Sequence, residues 1–325
     1  LSHLRKALQR QLVFFGGKGG VGKTTVATAR ALESAREGAR TLLVSTDAAH
    51  SASDALECPL GPEPGLVLQN LWAVELDPAV EADSYLSEVK RRIADATPPR
   101  LSAEVARQMD VARASPGTEE AAVFDRFTRI IDAAAYDRIV FDTAPSGQTL
   151  RLLSLPEIMT NWIDALIGQR RRVAVLDRMW RNVAGAASRD EAPKKDVILC
   201  ALQQRRDRFD RTRGALRDPR KTAFVFVVTA ERLPILETHR IMEALAGHGV
   251  PVGGVIVNQV LPDSQGDEFL RRRKVREASH LADAVDRFGD WPLGYLPLLE
   301  QDPVGIGTLS HLLDQLKTTS QEKPE

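Results

Sequence analysis

The chain has 325 residues, 43% of them apolar, and its 44 Lys or Arg balance 44 Asp or Glu, which is enough material to bury a core in one large α/β domain or two smaller ones. A zero formal net charge gives no electrostatic reason to expect nucleic acid, and no run approaches the roughly 18 uncharged apolar residues of a membrane-spanning helix. The two cysteines, Cys58 and Cys200, fit neither a disulfide framework nor a metal-ligand spacing, so a soluble cytoplasmic protein that is not itself transmembrane is expected.

The basic start, LSHLRKALQR, is not followed by a signal-type apolar core. Apolar, β-branched runs then recur with helical segments between them: Leu12–Phe15, Arg40–Ser45, Leu71–Leu76, Arg138–Asp142, Ala223–Thr229, Val250–Asn258 and Pro292–Leu296. Strands alternating with helices predict an α/β fold with a doubly wound, mainly parallel sheet, whose ligands gather beyond the carboxyl ends of the strands. Two segments break the alternation. Tyr85–Phe127 and Ser154–Lys221 have helical periodicity with no strand between them, which predicts a helical subdomain inserted into a domain spanning residues 1–317. Within the second segment Leu176, Met179, Trp180 and Val183 fall at i, i+3, i+4 and i+7, one apolar stripe. It reads either as core or, with Met159 and Trp162, as the wall of an apolar groove. Ile167–Lys221 holds 16 Lys or Arg against 7 Asp or Glu, a solvated face or a docking surface for an acidic partner or anionic lipid. Thr318–Glu325 reads as a disordered tail, and no internal repeat is visible.

The junction after Leu12–Phe15 carries the most specific signal. Gly17–Thr25 reads GKGGVGKTT, the form G-x-x-x-x-G-K-[ST] between an apolar run and the helix-like Val26–Glu37, and so reads as a phosphate-binding loop. Glycines let the backbone curl until consecutive N–H groups face one anion, and the positive end of the following helix adds to the attraction. Gly17, Lys18, Gly19, Gly20, Val21, Gly22, Lys23, Thr24 and Thr25 are the candidate contacts, Lys23 for the outer phosphates and the Thr24 hydroxyl for a magnesium ion. The same stretch satisfies G-x-G-x-x-G. A dinucleotide fold, however, wants an acidic residue about 20 positions further on at a strand end, and has no use for Lys-Thr after the last glycine. Lys18, a second lysine inside the loop, marks the deviant loop class in which this residue reaches across a dimer interface to the partner's nucleotide.

Together with STDAAHS (Ser45–Ser51), DTAPSGQTLRLLSLP (Asp142–Pro156) and VNQ (Val257–Gln259), the loop resembles the family of ArsA, the arsenite-pump ATPase, and of the Get-pathway ATPase that delivers tail-anchored membrane proteins; the likeness runs from about Leu12 to Leu313. It implies ATP and Mg²⁺, a homodimer that closes on nucleotide, and a helical subdomain serving a hydrophobic client or a membrane transporter or receptor. Asp47 ends the strand-like RTLLVSTD and matches the switch I aspartate. A carboxylate there can orient and partly deprotonate an attacking water, and can hold magnesium through water. The family commonly has proline where Ala48 stands. His50, with no second ligand at suitable spacing, reads as a loop contact. Asp142, at the tip of Ile139–Phe141, matches a Walker-B-type aspartate that holds the magnesium shell through water alongside Thr24. Thr143–Leu155 matches switch II, with Ser146 and Gln148 where the family more often has Thr and His. Asn258 matches the adenine-reading asparagine, and Pro297 in YLPLL would complete the base pocket; with no guanine motif of the NKxD type, ATP is preferred over GTP. Lys18, Lys23 and Asp47 are the candidate catalytic residues.

The departures from the family matter too. Leu261–His280 contains no cysteine, where animal and fungal targeting ATPases carry a CxxC zinc pair, and Gly117 stands near the position of an ArsA metalloid cysteine. Soft As(III) needs thiolates, and two scattered cysteines do not make a three-thiol site within one chain. Two outputs stay open, driving an arsenite or antimonite pump and carrying a tail-anchored client. A ParA/MinD-like positioning ATPase shares the deviant loop but not the long DTAPSGQ element.

Overall fold

The computed structural model describes residues 2–46, 51–94, 113–115, 117–143, 164, 167–168, 197–262 and 268–318. In chain order these form α1 (His3–Leu8), β1 (Leu12–Gly16), α2 (Lys23–Arg36), β2 (Thr41–Ser45), α3 (Ser51–Leu56), β3 (Gly65–Leu68), β4 (Leu71–Glu75), α4 (Pro78–Ala94), α5 (Thr118–Asp132), β5 (Arg138–Asp142), α6 (Val197–Arg217), β6 (Thr222–Thr229), α7 (Arg232–Gly247), β7 (Val252–Val260), α8 (Glu268–Phe288), β8 (Leu293–Pro297), α9 (Gly305–Leu309), a 3₁₀ turn (Leu312–Gln315) and β9 (Lys317–Thr318). Among the described residues no helix is long and apolar enough to cross a membrane.

The strands make one sheet in the order β3-β4-β2-β5-β1-β6-β7-β8-β9. From β4 through β8 neighbours run parallel, and only the outermost pairs, β3 with β4 and β8 with β9, are antiparallel. Parallel strands covered on both faces need apolar residues at consecutive positions rather than alternate ones. β1 and β2 are accordingly buried at every residue. On one face Phe14 stacks between Phe141 and Phe224, its register partners, with ring centroids 4.3 and 4.5 Å apart; each such buried ring contributes about 1.5–3 kcal/mol. On the opposite face Val13, Phe15, Val140, Val225 and Val227 share a core with Val26, Ala27, Ala31 and Leu32 of α2. Small alanines let α2 lie close to the sheet. Its one large polar intruder, Arg30, is 1% exposed and donates from Nε to the Leu8 carbonyl at 2.7 Å, with Glu33 and Glu37 pairing its guanidinium.

The sheet reaches one strand further at each edge than the apolar runs predict. Gly65–Leu68 forms β3, a short and largely exposed strand whose side chains show no buried pattern. Lys317–Thr318 forms β9 against Tyr295 and Gly294, so Thr318 belongs to the sheet and not to a tail. Two polar residues held by backbone hydrogen bonds alone leave no periodicity to read. Residues 319–325 lie outside the described residues, as do Met159, Trp162 and the stripe Leu176, Met179, Trp180 and Val183.

By contacts the chain separates into two compact units. One holds the sheet and its flanking helices. The other holds α4 and α5 (within Pro78–Ala133) and the described residues of the later segment up to Gly214. α4 begins at Pro78, ahead of Tyr85, because a first-turn proline loses no helical hydrogen bond and already has helical φ.

Inside the helical unit the arginine-rich sequence finds its explanation. Asp125 of α5, 2% exposed, accepts from Arg129 at 2.8 Å, from Arg205 at 2.9 Å and from Arg208 at 2.8 Å. Arg205 also lies 4.7 Å over the Tyr85 ring, and Phe124 meets Phe209 edge-on at 5.4 Å. Arg206, Arg211 and Arg213 pair with Asp164, Asp132 and Asp210. Arg205 and Arg208 therefore serve a buried carboxylate, and Arg206, Arg211 and Arg213 make pairs nearer the surface; the other basic residues between Ile167 and Lys195 lie outside the described residues. Burial alone would push the Asp125 carboxyl up, but the surrounding guanidinium groups hold it below the usual carboxylate range. A depressed folded pKa means stability that is present above about pH 4, the unfolded value, and is lost as pH falls through the folded one. Asp125→Asn is expected to cost about 3 kcal/mol at neutral pH by leaving three half-buried arginines without their shared carboxylate. Urea melts should show that gap closing in acid; a gap constant down to pH 3 would contradict the assignment.

Candidate nucleotide site

The loop from Gly17 to Gly22 leaves the carboxyl end of β1, the strand flanked by β5 and β6, and enters α2 directly. Two of its glycines are sterically required. At Gly17 (φ 143°) a Cβ would stand 2.2 Å from the Val227 carbonyl oxygen of β6, and at Gly22 (φ 90°) it would stand 2.3 Å from Asn258 Nδ2. Gly22 caps α2 in the left-handed conformation, so no side chain of the cap competes for the first N–H groups of the helix. That is the geometry an anion needs.

The sequence-predicted residues gather around this loop. Lys23 is 8% exposed and donates from Nζ to the Lys18 carbonyl at 3.0 Å, bridging the loop from within. Thr24 Oγ1 donates to Asp142 Oδ2 at 2.7 Å, joining α2 to the tip of β5. Thr25 is half-buried in the first turn of α2, while Gly19 and Gly20 are exposed at the tip of the loop. Lys18 leaves the loop on the other side and pairs with Glu237 of α7 at 3.3 Å, both side chains 40% exposed. Asn258 Nδ2 donates to the Val21 carbonyl at 2.9 Å, so β7 braces the loop directly. Pro297 ends the adjacent strand β8, half-buried and opposite Val260. Between Val257 and Val260 the β7–β8 register shifts, with Gln259 at φ 58°; such a bulge re-aims the neighbouring side chain, here Asn258. Asp47, Ala48, His50, Ser146 and Gln148 lie outside the described residues.

Two contributors were not evident from sequence. Ser51 Oγ lies 3.1 Å from Thr24 Oγ1, adding a second hydroxyl beside Asp142. Glu75, at the end of β4 and 6% exposed, accepts from the Ala52 and Ser53 N–H groups at 3.1 Å each and from Ser53 Oγ at 2.6 Å. It thereby anchors the first turn of α3, which Ser51 opens. An acid closing an apolar strand, LWAVE, was the available signal. Glu75→Ala should cost about 1–3 kcal/mol by leaving buried donors without an acceptor and should lower turnover through Ser51; thermal melts beside an activity assay check both.

Thr24, Ser51 and Asp142 present hard oxygen donors, two hydroxyls and a carboxylate, which is the chemistry that suits Mg²⁺. The residues present therefore fit the ion.

The fold and this loop define a P-loop NTPase of α/β type. The profile of the family described as anion-transporting ATPase matches residues 10–318. A Paramecium tetraurelia protein named "ATPase ASNA1 homolog 1" is 31% identical over 321 residues, 96% of this chain and 95% of its own length. An Aquifex aeolicus protein whose name refers to an arsenical pump-driving ATPase is 34% identical over 305 residues, covering 92% of this chain and 96% of its own. "ATPase GET3A" of Arabidopsis thaliana is 33% identical over 301 residues, 91% and 81% of the two chains. The chain belongs to the anion-transporting ATPase family, and with it is an ATP-hydrolysing enzyme.

Proposed function

We propose that the protein is a homodimeric ATP-driven switch that couples Mg-ATP binding and hydrolysis to delivery or transport at a membrane partner. The observation that carries the nucleotide part is the 2.7 Å link between Thr24 and Asp142 beside a glycine loop that would admit no side chain at Gly17 or Gly22. In this reading the loop N–H groups and Lys23 hold the outer phosphates, Asp47 orients the attacking water, and Lys18 leaves Glu237 to reach the partner's nucleotide. Thr24, Ser51 and Asp142 would hold Mg²⁺, with Asp47 and Asp142 acting through water. When bound, that ion supplies neutralisation of charge on the phosphate oxygens. Asn258 and Pro297 border the base; because the Asn258 amide already braces Val21, its role is as much to fix the loop as to read adenine. The helical unit is the output.

The cysteine inventory favours carriage of a hydrophobic client over a metalloid pump. Cys58 belongs to the sheet unit and Cys200 to the helical unit, so neither unit contains a thiol pair. Arsenite or antimonite should leave the turnover of the purified chain nearly unchanged. Nucleotide-dependent capture of a tail-anchor peptide, followed by sedimentation, tests the carrier. A large metalloid activation that disappears in the Cys58→Ser, Cys200→Ser variant would reverse the choice.

A further inference from the structure

Among the described residues, α8 carries a basic run whose charges are less fully paired than those of α6. On α6, Arg205, Arg206, Arg208, Arg211 and Arg213 are tied to aspartates. On α8, Arg271, Arg273 and Arg276 are exposed, and among the described residues no acidic side chain pairs with them. The eight residues Phe269–Arg276 hold five cations (Arg271, Arg272, Arg273, Lys274 and Arg276) and no acid. Of the other two, Arg272 pairs with Glu268, and Lys274 donates from Nζ to the Leu261 carbonyl at 3.2 Å. The same run exposes Phe269 (68%), Leu270 (40%) and Val275 (74%).

We propose that the first half of α8 docks the protein onto an anionic lipid bilayer. The helix is fastened at its middle and far end: Glu277 accepts from Leu261 N–H at 3.0 and 3.2 Å, and Ala284 and Phe288 are buried. The basic half is thus presented on a fixed element. Neither packing nor helix stability accounts for it, because cations near a helix N-terminus oppose its dipole. The apolar side chains are interspersed with the cations, not gathered into one stripe. That arrangement suits a headgroup layer, where each apolar group is buried separately while the charges meet lipid phosphates. A second copy is a poor occupant, since five cations would face five across a twofold axis. The proposal does not depend on the nucleotide reading.

Flotation of the full chain with phosphatidylcholine vesicles, with and without roughly one-third phosphatidylserine, tests it. Binding is expected only to the anionic vesicles and is expected to vanish near 0.5 M salt, roughly where screening becomes short-ranged. Replacing Arg271, Arg273 and Arg276 with Gln should weaken it about a hundredfold, roughly fivefold per charge near an anionic surface. The same three changed to Lys should bind like the parent. Phe269→Ser with Val275→Ser should weaken binding but keep its salt dependence. All variants should retain the parent melt and ATP turnover. Equal binding to neutral vesicles, or no change in the Gln or Ser variants, would overturn the proposal. So would retention on polyglutamate without vesicle binding, which would assign the face to an acidic polypeptide.

Discussion

Replacing Asp47 with asparagine is expected to slow ATP turnover about 10²–10⁴-fold, the usual worth of a positioned base, while leaving Mg-ATP bound. The described residues on either side of its segment explain the size of the effect. Thr46 N–H donates to the Asp142 carbonyl at 3.1 Å, and Ser51 Oγ lies 3.1 Å from Thr24 Oγ1. Both ends of the segment that carries Asp47 are therefore tied to the residues beside the phosphate loop. Asparagine keeps the size and one acceptor but cannot take a proton from water. Bound nucleotide should then persist, and the variant should accumulate as the closed dimer in sedimentation with ATP. Unchanged turnover, or no gain in dimer over the wild type, would remove Asp47 from the chemistry.

The two loop lysines should fail in different ways. Lys23→Ala is expected to abolish nucleotide binding or turnover within its own subunit, since the buried ammonium bridges the loop to the Lys18 carbonyl. Lys18→Ala should bind nucleotide almost normally yet lose hydrolysis. Among the described residues the ion pair that the truncation gives up is the half-exposed contact with Glu237, worth about 0–1 kcal/mol, so a large loss of rate would not be a folding effect. Mixing Lys18→Ala subunits with Asp47→Asn subunits gives the decisive measurement. If Lys18 acts across the interface, a mixed dimer has one site carrying both defects and one carrying neither, and activity returns. A mixture no better than its two components would place Lys18 within its own subunit.

Much of the sheet was readable because parallel, doubly covered strands declare themselves as unbroken apolar runs, as LVFF and FVFVV do here. The glycine loop was readable because its backbone demands are local. What lay beyond sequence was tertiary. Glu75 and Ser51 act through a helix start that a distant strand supports, and the one local mark, an acid closing LWAVE, does not say what it holds. The bond from Asn258 to Val21 depends on a bulge at Gln259 that no propensity signals. Arg205 and Arg208 looked like surface charge because Asp125, their common acceptor, lies 80 positions from Arg205 in the chain. Edge strands β3 and β9 escaped for the opposite reason, being too short and too exposed to carry a pattern.

Those two edge strands have a consequence for any client. β9 is two residues long and β3 breaks register between Leu66 and Leu68, so among the described residues neither rim of the sheet offers the long, flat row of free peptide groups that strand addition requires. A partner segment cannot be gripped by its main chain there. Recognition of a hydrophobic passenger would have to run through side-chain surface alone, with the passenger satisfying its own backbone hydrogen bonds as a helix. Such a grip discriminates by oiliness and length and tolerates wide variation in spelling. A carrier built this way should accept many unrelated apolar helices and reject an extended peptide of the same composition.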